Sequence, residues 1–340
     1  MEFKFFIGVD VSKETLDVAL LDARQHEQIN HVQISNDEES ISQLVQGLES
    51  ANGFDLKQTL FCMEHTGLYN YPLLNFISTH QLNVWVENSV EIKQSMGLQR
   101  GKNDRIDAKR IAKYAFKNTD KLRLWQPSRQ VVDTLRHLNA LRDRLVETKK
   151  RLLVPVEEFK EYGDAAMTKL LEKAMAKSVN AINSDLEKLE KQIKKIIDDD
   201  NDLKQLYALI TSVVGIGFAT AVNLIIYTNE FKLFSSVRKL ACYCGVAPFE
   251  HRSGKSINGR TRVSHFANKK LKTNLHMGSL TSVKLDDGLR KYYERKVAEG
   301  KNKMSVLNAV RNKLLARVFA VVKRGTPYEK NYSFNNLVLS

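Results

Sequence analysis

The N-terminal third of the chain alternates short apolar segments with helical ones, and this order constrains the fold more than any other feature. Residues 3–9 form an apolar run that predicts a buried strand, and the alternation over 15–21 predicts its hairpin partner. Further strands are predicted at 31–34, 60–63 and 82–86, and helices at 37–48, 69–78 and 104–117. Antiparallel strands followed by strand–helix–strand units favour an α/β fold with a mixed sheet and helices on its faces.

Beyond residue 126 the sequence changes character. Apolar positions near heptad spacing over 130–159 and 166–198 predict two long amphipathic helices. They are expected to form an antiparallel hairpin or a self-association arm, or else a helical bundle closed within one subunit. Further on, Val214-Gly215-Ile216-Gly217 precedes an apolar helix, which is typical of a helix-hairpin-helix element that holds a nucleic-acid backbone. A plain glycine turn between two helices gives the same pattern. Domains are therefore expected at 1–125, 126–202 and 203–330.

The charge balance indicates an acidic partner. The chain has 53 Lys and Arg against 39 Asp and Glu, a formal net charge of +14. Nucleic acid is the commonest partner for such an excess, although some basic proteins bind no polymer. No apolar stretch approaches the roughly 20 residues of a membrane span, and the N-terminus does not resemble a signal peptide. The three cysteines lack the spacing of a zinc site. We therefore expect a cytoplasmic protein with no membrane partner.

Four carboxylates fall at the ends of predicted elements. Asp10 and Glu64 end two strands, and Asp104 and Asp107 stand three residues apart on one helix face. Phosphoryl transfer with two metal ions needs carboxylates that converge on ions about 3.5–4 Å apart, and Mg²⁺ prefers such oxygen ligands. Basic side chains suited to a phosphate backbone surround the helical pair, namely Lys102, Arg105, Lys109 and Arg110.

Each carboxylate also has a structural interpretation. Asp10 could belong to a turn, Glu64 to a surface ion pair, and Asp104 and Asp107 to the first turn of a helix. A different chemistry is also conceivable, because a Gly-Val-Asp strand followed by Ser12 and Lys13 resembles the phosphate hairpin of actin-like sugar kinases. That interpretation requires a second phosphate loop and a glycine-rich adenosine site, which the sequence lacks.

A second candidate segment is basic. Residues 250–275 carry one acid and seven basic residues, which are Arg252, Lys255, Arg260, Arg262, Lys269, Lys270 and Lys272. Gly254 and Gly259 favour a loop that can approach a backbone closely. Ser253 lies within it. A serine hydroxyl attacks phosphorus only when it is activated, and nearby cations stabilise the charge that develops. Without that activation, Ser253 simply contacts a phosphate.

Several segments together resemble one family. GVDVSK (8–13), MEHTGLY (63–69) and KNDRIDA (102–108) look like the three N-terminal blocks of the DEDD-type insertion-sequence transposases, which are related to the Piv/MooV site-specific invertases. VVGIG (213–217), LACYCGVAP (240–248) and RSGKS (252–256), leading into 260–271, resemble the family's second domain. The blocks occur in the expected order from about residue 5 to residue 280.

The resemblance implies a RuvC-like, RNase H-fold domain, a coiled-coil assembly arm and a mainly helical transposase domain with a nucleophilic serine. It assigns Asp10, Glu64, Asp104 and Asp107 to a site for one or two Mg²⁺ ions. Ser253 fits the nucleophile best, and Ser256 is the alternative. It further implies a nucleoid-associated dimer or tetramer that acts on donor and target DNA with a structured guide RNA encoded by its own element.

The sequence therefore predicts a recombinase that cuts and rejoins DNA through a covalent phosphoserine. Three alternatives stay open. One is a RuvC-like nuclease that uses metal-activated water, and another is a Piv-type site-specific invertase. The third, from another class, is a nucleic-acid-binding assembly protein without catalytic activity.

Overall fold

The computed structural model describes residues 2–25, 28–95, 97, 103–253, 257–264 and 266–330. The chain separates into two compact units, residues 1–127 and 128–340. The division into three domains stays a prediction. The predicted fold class is confirmed, since a mixed sheet with helices is followed by a mainly helical region.

The N-terminal unit contains five strands and four α-helices in its described part. They are β1 (Phe5–Val11), β2 (Thr15–Asp22), β3 (Ile29–Ser35), α1 (Glu38–Glu49), β4 (Thr59–Glu64), α2 (Tyr71–Thr79), β5 (Asn83–Glu87), α3 (Ser89–Ser95) and α4 (Asp104–Lys117). The sheet order is β3-β2-β1-β4-β5. β1, β2 and β3 pair antiparallel, whereas β4 lies parallel to both β1 and β5. The strands and helices predicted for this region are confirmed, with shifts of a few residues at their ends.

Strand β1 is apolar on both faces because each face is covered. Ile7 and Val9 pack in a core that includes residues of α1 and α2, whereas Phe6 packs in a second core that includes residues of α4. A sheet buried on both sides is read in sequence as a continuous apolar run, which is what residues 3–9 show.

Helix α4 lies directly on β1 at a glycine. A Cβ atom on Gly8 would overlap the backbone nitrogen of Ala112 and the carbonyl oxygen of Ala108. Both alanines are fully buried, as are Ile111 and Ala115 on the same face of α4. The small residues on both elements therefore permit an approach that no side chain at position 8 would allow.

The C-terminal unit contains eight α-helices and a two-stranded sheet in its described part. They are α5 (Gln130–Tyr162), α6 (Ala165–Asp199), α7 (Asn201–Thr211), α8 (Phe218–Thr228), α9 (Val237–Tyr243), β6 (Pro248–Ser253), β7 (Ile257–Val263), α10 (Lys269–Leu285), α11 (Asp287–Ala298) and α12 (Lys303–Arg324). The two long predicted helices appear as α5 and α6, joined by two residues. Helix α8 is buried along most of its length in the core of this unit. Within the described ranges, no helix is both long enough and apolar enough to cross a membrane.

One expectation is corrected. The glycine-containing segment around Ser253 was expected to be a loop, and it forms instead the antiparallel pair β6–β7, with Arg252 opposite Asn258 and Ser253 opposite Ile257. The strands are difficult to predict because they are short and rich in Arg, Gly and small polar residues. Such a composition gives no apolar alternation, although backbone pairing does not require one. Residues 254–256 lie outside the described residues.

The contact at Gly8 generates a stability prediction. Gly8→Ala should lower the free energy of unfolding by about 3 kcal/mol, because the new methyl group meets backbone atoms that no side-chain rotation can move away. Gly47→Ala is the matched control: Gly47 lies in α1 with nothing near its Cβ position. That change should be neutral or stabilise by up to about 1 kcal/mol. Urea unfolding followed by circular dichroism measures both, and equal stabilities for the two variants would contradict the prediction.

Candidate functional site

A row of acidic residues crosses four strands of the sheet near their ends. In the strand register Asp10 pairs with Asp17 on β2, and Glu64 pairs with Glu87 on β5. Val9 pairs with Met63, so the next residues along these parallel strands, Asp10 and Glu64, are neighbours. Side chains at alternate positions share a face, which places Asp10 on the side of β1 that Gly8 presents to α4. The row therefore lies on the face of the sheet that α4 covers.

Helix α4 brings its first turn to this row. Asn103 caps the helix, since its side chain accepts a hydrogen bond from the backbone N–H of Ile106 at 3.1 Å. The capping role that Asp104 could have had therefore belongs to Asn103. Asp104 is exposed and Asp107 is half-buried, both in the first turn, where a helix favours negative charge.

The electrostatics of Asp10 show that the other three carboxylates act on it. Partial burial and the negative charges of Asp104, Asp107 and Glu64 together raise the pKa of Asp10 from 3.8 to about 6, burial having the largest effect and Asp17 the smallest. No group in the described part of the chain donates a hydrogen bond to the Asp10 side chain. Mutual repulsion at Asp10 is what a cation between these carboxylates would relieve.

The side chains are not gathered as ligands around a common point. Within the described residues, no three acidic, histidine or cysteine side chains are placed to hold one ion. Asp107 instead accepts a hydrogen bond from Nη1 of Arg110 at 2.7 Å. Arg110 was expected to contact phosphate, yet its side chain pairs with Asp107, a predicted metal ligand one helical turn away. The donor set nevertheless fits Mg²⁺ in its chemistry, because it consists of carboxylate oxygens whose charges repel one another.

Two members of the row were missed in the sequence. Asp17 is buried, and its carboxylate is held by Nε2 of His31 at 2.7 Å and Nε2 of Gln33 at 2.9 Å. Glu87 ends β5 just as Glu64 ends β4, which was the available signal for it. Asp17 gave a weaker signal, because a polar residue in an alternating strand is expected to face solvent.

The predicted basic residues are spread over several elements. Around the first turn of α4, Arg105 is exposed and Lys109 half-buried, and Lys102 lies outside the described residues. Ser253 is the last residue of β6, and Arg252 and Arg260 lie on the paired strands, with only their backbones described. Lys255 and Ser256 fall outside the described residues.

The start of α10 concentrates positive charge. Asn268 caps the helix, and Lys269, Lys270 and Lys272 follow in its first turn. Nζ of Lys270 pairs with Oδ1 of Asp143 on α5 at 2.7 Å, while Lys269 is exposed, as is Arg262 at the end of β7. Cations at a helix N-terminus oppose the helix dipole, so an anion bound here would be favourable.

Two transposase family models match the chain. One, a DEDD transposase model of the IS110 type, matches residues 7–158, and the other, described as the transposase IS116/IS110/IS902 family, matches residues 207–294. Together they span more than two thirds of the chain. The chain therefore belongs to the IS110-type DEDD transposases, and the resemblance drawn from its sequence blocks is confirmed.

Individual relatives agree with this assignment. The pilin gene-inverting proteins of Moraxella bovis and Moraxella lacunata are each 25% identical over 331 residues, which cover 96% of this chain and 98% of theirs. A 43.6 kDa protein of insertion element IS110 from Streptomyces coelicolor is 29% identical over 156 residues, covering 46% of this chain and 37% of its own.

The raised pKa of Asp10 predicts a pH-dependent effect. As pH rises from about 4 to about 6, the unfolded chain releases the Asp10 proton while the folded protein retains it, so the folded state loses stability. Asp10→Asn removes this loss. Without divalent metal, the variant should gain stability over the wild type across that pH range and keep the gain at pH 7.5. Denaturant unfolding at a series of pH values measures it. Glu14→Gln, an exposed change of the same charge in the β1–β2 turn, should show no such trend; a pH-independent difference for Asp10→Asn would contradict the prediction.

Proposed function

We propose that this protein is a DNA recombinase of an insertion sequence, which cuts and rejoins DNA strands by phosphoryl transfer. The observation that carries the proposal is the electrostatic coupling of Asp10 to Glu64, Asp104 and Asp107. These are the residues that the resemblance assigns to the DEDD set, and they lie within the matched transposase domain. A structural cap or a surface ion pair gives no reason for a half-buried strand carboxylate to lie within electrostatic reach of three others from the sheet and a helix.

The metal assignment rests on the donor set. Asp10 and Glu64 are held by adjacent strands, and Asp104 and Asp107 by the first turn of α4. Bound there, one or two Mg²⁺ ions would polarise the phosphate and favour deprotonation of the attacking group. Asp107 would have to exchange Arg110 for the ion, and its side chain needs only to rotate away from a neighbour on its own helix.

The nucleophile is proposed to be Ser253, with Ser256 as the alternative. The serine Oγ gives up its proton to a base and forms a bond to phosphorus. The displaced deoxyribose oxygen leaves with a proton as a hydroxyl, and the reverse step joins a new DNA end and frees the serine. Support comes from the family resemblance and from the basic residues along β6, β7 and the start of α10, which suit a developing phosphorane charge.

The partners and organisation are proposals as well. Donor and target DNA and a structured guide RNA follow from the resemblance. The domains would be a catalytic domain at 1–125, assembly helices at 126–202 and a transposase domain at 203–330. Apolar side chains exposed along α5 and α6 support a dimer or tetramer formed through this arm; they include Leu141, Val146, Val154, Phe159 and Leu170.

A second candidate function is site-specific inversion. The observation that favours it is the similarity to the pilin gene-inverting proteins along nearly the whole length of both chains. Inversion and transposition use the same cutting and joining chemistry, so the two candidates share one site. They differ in whether the rejoined ends come from one DNA segment or from two.

Strand exchange tests the proposal. Asp10→Asn should reduce recombination at least about a hundredfold, since a lost metal ligand costs several kcal/mol of transition-state stabilisation. Ser253→Ala should abolish both recombination and the covalent protein–DNA adduct. Glu14→Gln serves as the control. The assay uses protein freed of nucleic acid, with and without RNA recovered from the same preparation, and should require that RNA.

Each alternative gives a different result in that assay. Cleavage that leaves no covalent adduct and that persists in Ser253→Ala would indicate a metal-dependent nuclease. An adduct lost only in Ser256→Ala would move the nucleophile to Ser256. Full activity of both Asp10→Asn and Ser253→Ala would overturn the assignment of these residues to catalysis. DNA binding by the wild type without cleavage or adduct would leave a DNA-binding assembly protein.

Salt dependence tests the basic surface. If Lys269 and Arg262 each neutralise one DNA phosphate, each alanine substitution should reduce the slope of log affinity against log salt by about 0.9. Fluorescence anisotropy with duplex DNA at several salt concentrations measures this slope. Lys173→Ala, an exposed change on α6, should leave the slope unaltered. Equal slopes for all three variants and the wild type would contradict the assignment.

A further inference from the structure

Glu87 occupies the end of the acidic row and lies next to Glu64. The two residues pair in the β4–β5 register and end their parallel strands at the same edge of the sheet. Nothing in the carboxylate assignment uses Glu87, which is held in place by its own set of contacts. Oε2 accepts hydrogen bonds from the indole N–H of Trp85 at 3.1 Å and the hydroxyl of Tyr114 at 3.3 Å, and Oε1 accepts one from the backbone N–H of Asn88 at 2.7 Å.

Tyr114 connects this carboxylate to helix α4. It lies two helical turns after Asp107, on the buried side of the helix, and its ring packs against Trp85 with 5.1 Å between ring centroids. Burial and the neighbouring Glu87 raise the pKa of the Tyr114 hydroxyl above its ordinary range, so it remains a donor. The hydrogen bond therefore joins the helix that carries Asp104 and Asp107 to the strand beside Glu64.

A directional contact matters here because the packing around it is apolar. Helix α4 meets the sheet through Ala108, Ile111, Ala112 and Ala115, with Phe116 packed against Phe6, and it meets β1 at Gly8. Apolar burial is non-directional, so it favours close approach without by itself selecting one position along the helix axis. A slide of one residue would move the helical carboxylates by about 1.5 Å. A hydrogen bond at a fixed position on the helix opposes that movement.

We propose that Glu87 is a positioning residue of the carboxylate site, which acts through its hydrogen bond with Tyr114 to set the position of α4 and thus the distance of Asp104 and Asp107 from Asp10 and Glu64. The proposal rests on the proposed metal-dependent function. It makes Glu87 a positioning residue and not a ligand, since its carboxylate is engaged by Trp85, Tyr114 and the backbone of Asn88.

Metal binding without DNA provides the test. Electron paramagnetic resonance can count Mn²⁺ ions bound by the full-length protein. Glu87→Ala and Tyr114→Phe should each weaken Mn²⁺ binding about tenfold, the usual range for outer contacts that orient metal ligands. The double variant should bind Mn²⁺ no more weakly than the weaker-binding single variant, because both changes remove the same Tyr114–Glu87 hydrogen bond. Glu87→Gln, which keeps an acceptor oxygen, should bind nearly as the wild type does. Glu91→Ala, an exposed acid on α3, is the control and should bind as the wild type does.

The outcomes separate this inference from the proposed function. If Tyr114→Phe binds Mn²⁺ as the wild type does, or if the two single effects multiply in the double variant, Glu87 does not act through Tyr114. A loss in Glu87→Gln as large as in Glu87→Ala would also overturn the inference, since charge rather than position would then matter. Asp10→Asn reports on the site itself. If it binds Mn²⁺ as tightly as the wild type, the metal assignment fails; if it loses binding and Tyr114→Phe does not, only the role of Glu87 fails.

Discussion

Helix α4 and strand β1 meet at backbone distance, and the acidic site depends on that contact. Gly8 has no side chain, so the backbone of α4 at Ala108 and Ala112 can lie directly over the strand. Asp10 follows Gly8 on the same face of β1, and the first turn of α4 immediately precedes Ala108. A packing contact between small residues therefore sets how close two groups of carboxylates come.

The same contact has an electrostatic cost. Burial and four neighbouring carboxylates keep the pKa of Asp10 at about 6, so the ionised site destabilises the fold near neutral pH. Repulsion of this kind is common at natural cation sites, because the bound ion offsets it. Folding stability and metal affinity are then linked. The pairing of Asp107 with Arg110 fits this view: a cation from the chain itself compensates part of the negative charge. Under the proposed function, Mg²⁺ would compete with that guanidinium.

The sequence predicts the strands and helices well, and it predicts strand register and long-range contacts poorly. Continuous apolar runs and helical spacing act over a few neighbouring residues, so the strands, α4 and the long helices could be located. The importance of Glu87 depends on the register of β4 with β5, which joins residues far apart in the chain and leaves no local pattern. The β6–β7 pair was missed because its strands contain Arg and Gly where an apolar alternation would normally stand. For the candidate site, motif spacing identified four carboxylates, whereas the hydrogen bonds of Asp17, Asp107 and Glu87 required the structure.

The acidic row also shows how one sheet edge can combine rigidity with a capacity to bind. Its outer members are fixed by neighbouring donors: Asp17 by His31 and Gln33 on β3, and Glu87 by Trp85 and Tyr114. Asp10, near the middle, receives no such bond from the described residues and carries the strain of its neighbours' charges. The hydrogen-bonded carboxylates at the margins help to hold the sheet and α4 in place, and Asp10 between them keeps its oxygens available. Because the donors to Asp17 and Glu87 stand at the margins, a bound cation would compete with Arg110 for Asp107 without displacing these marginal contacts.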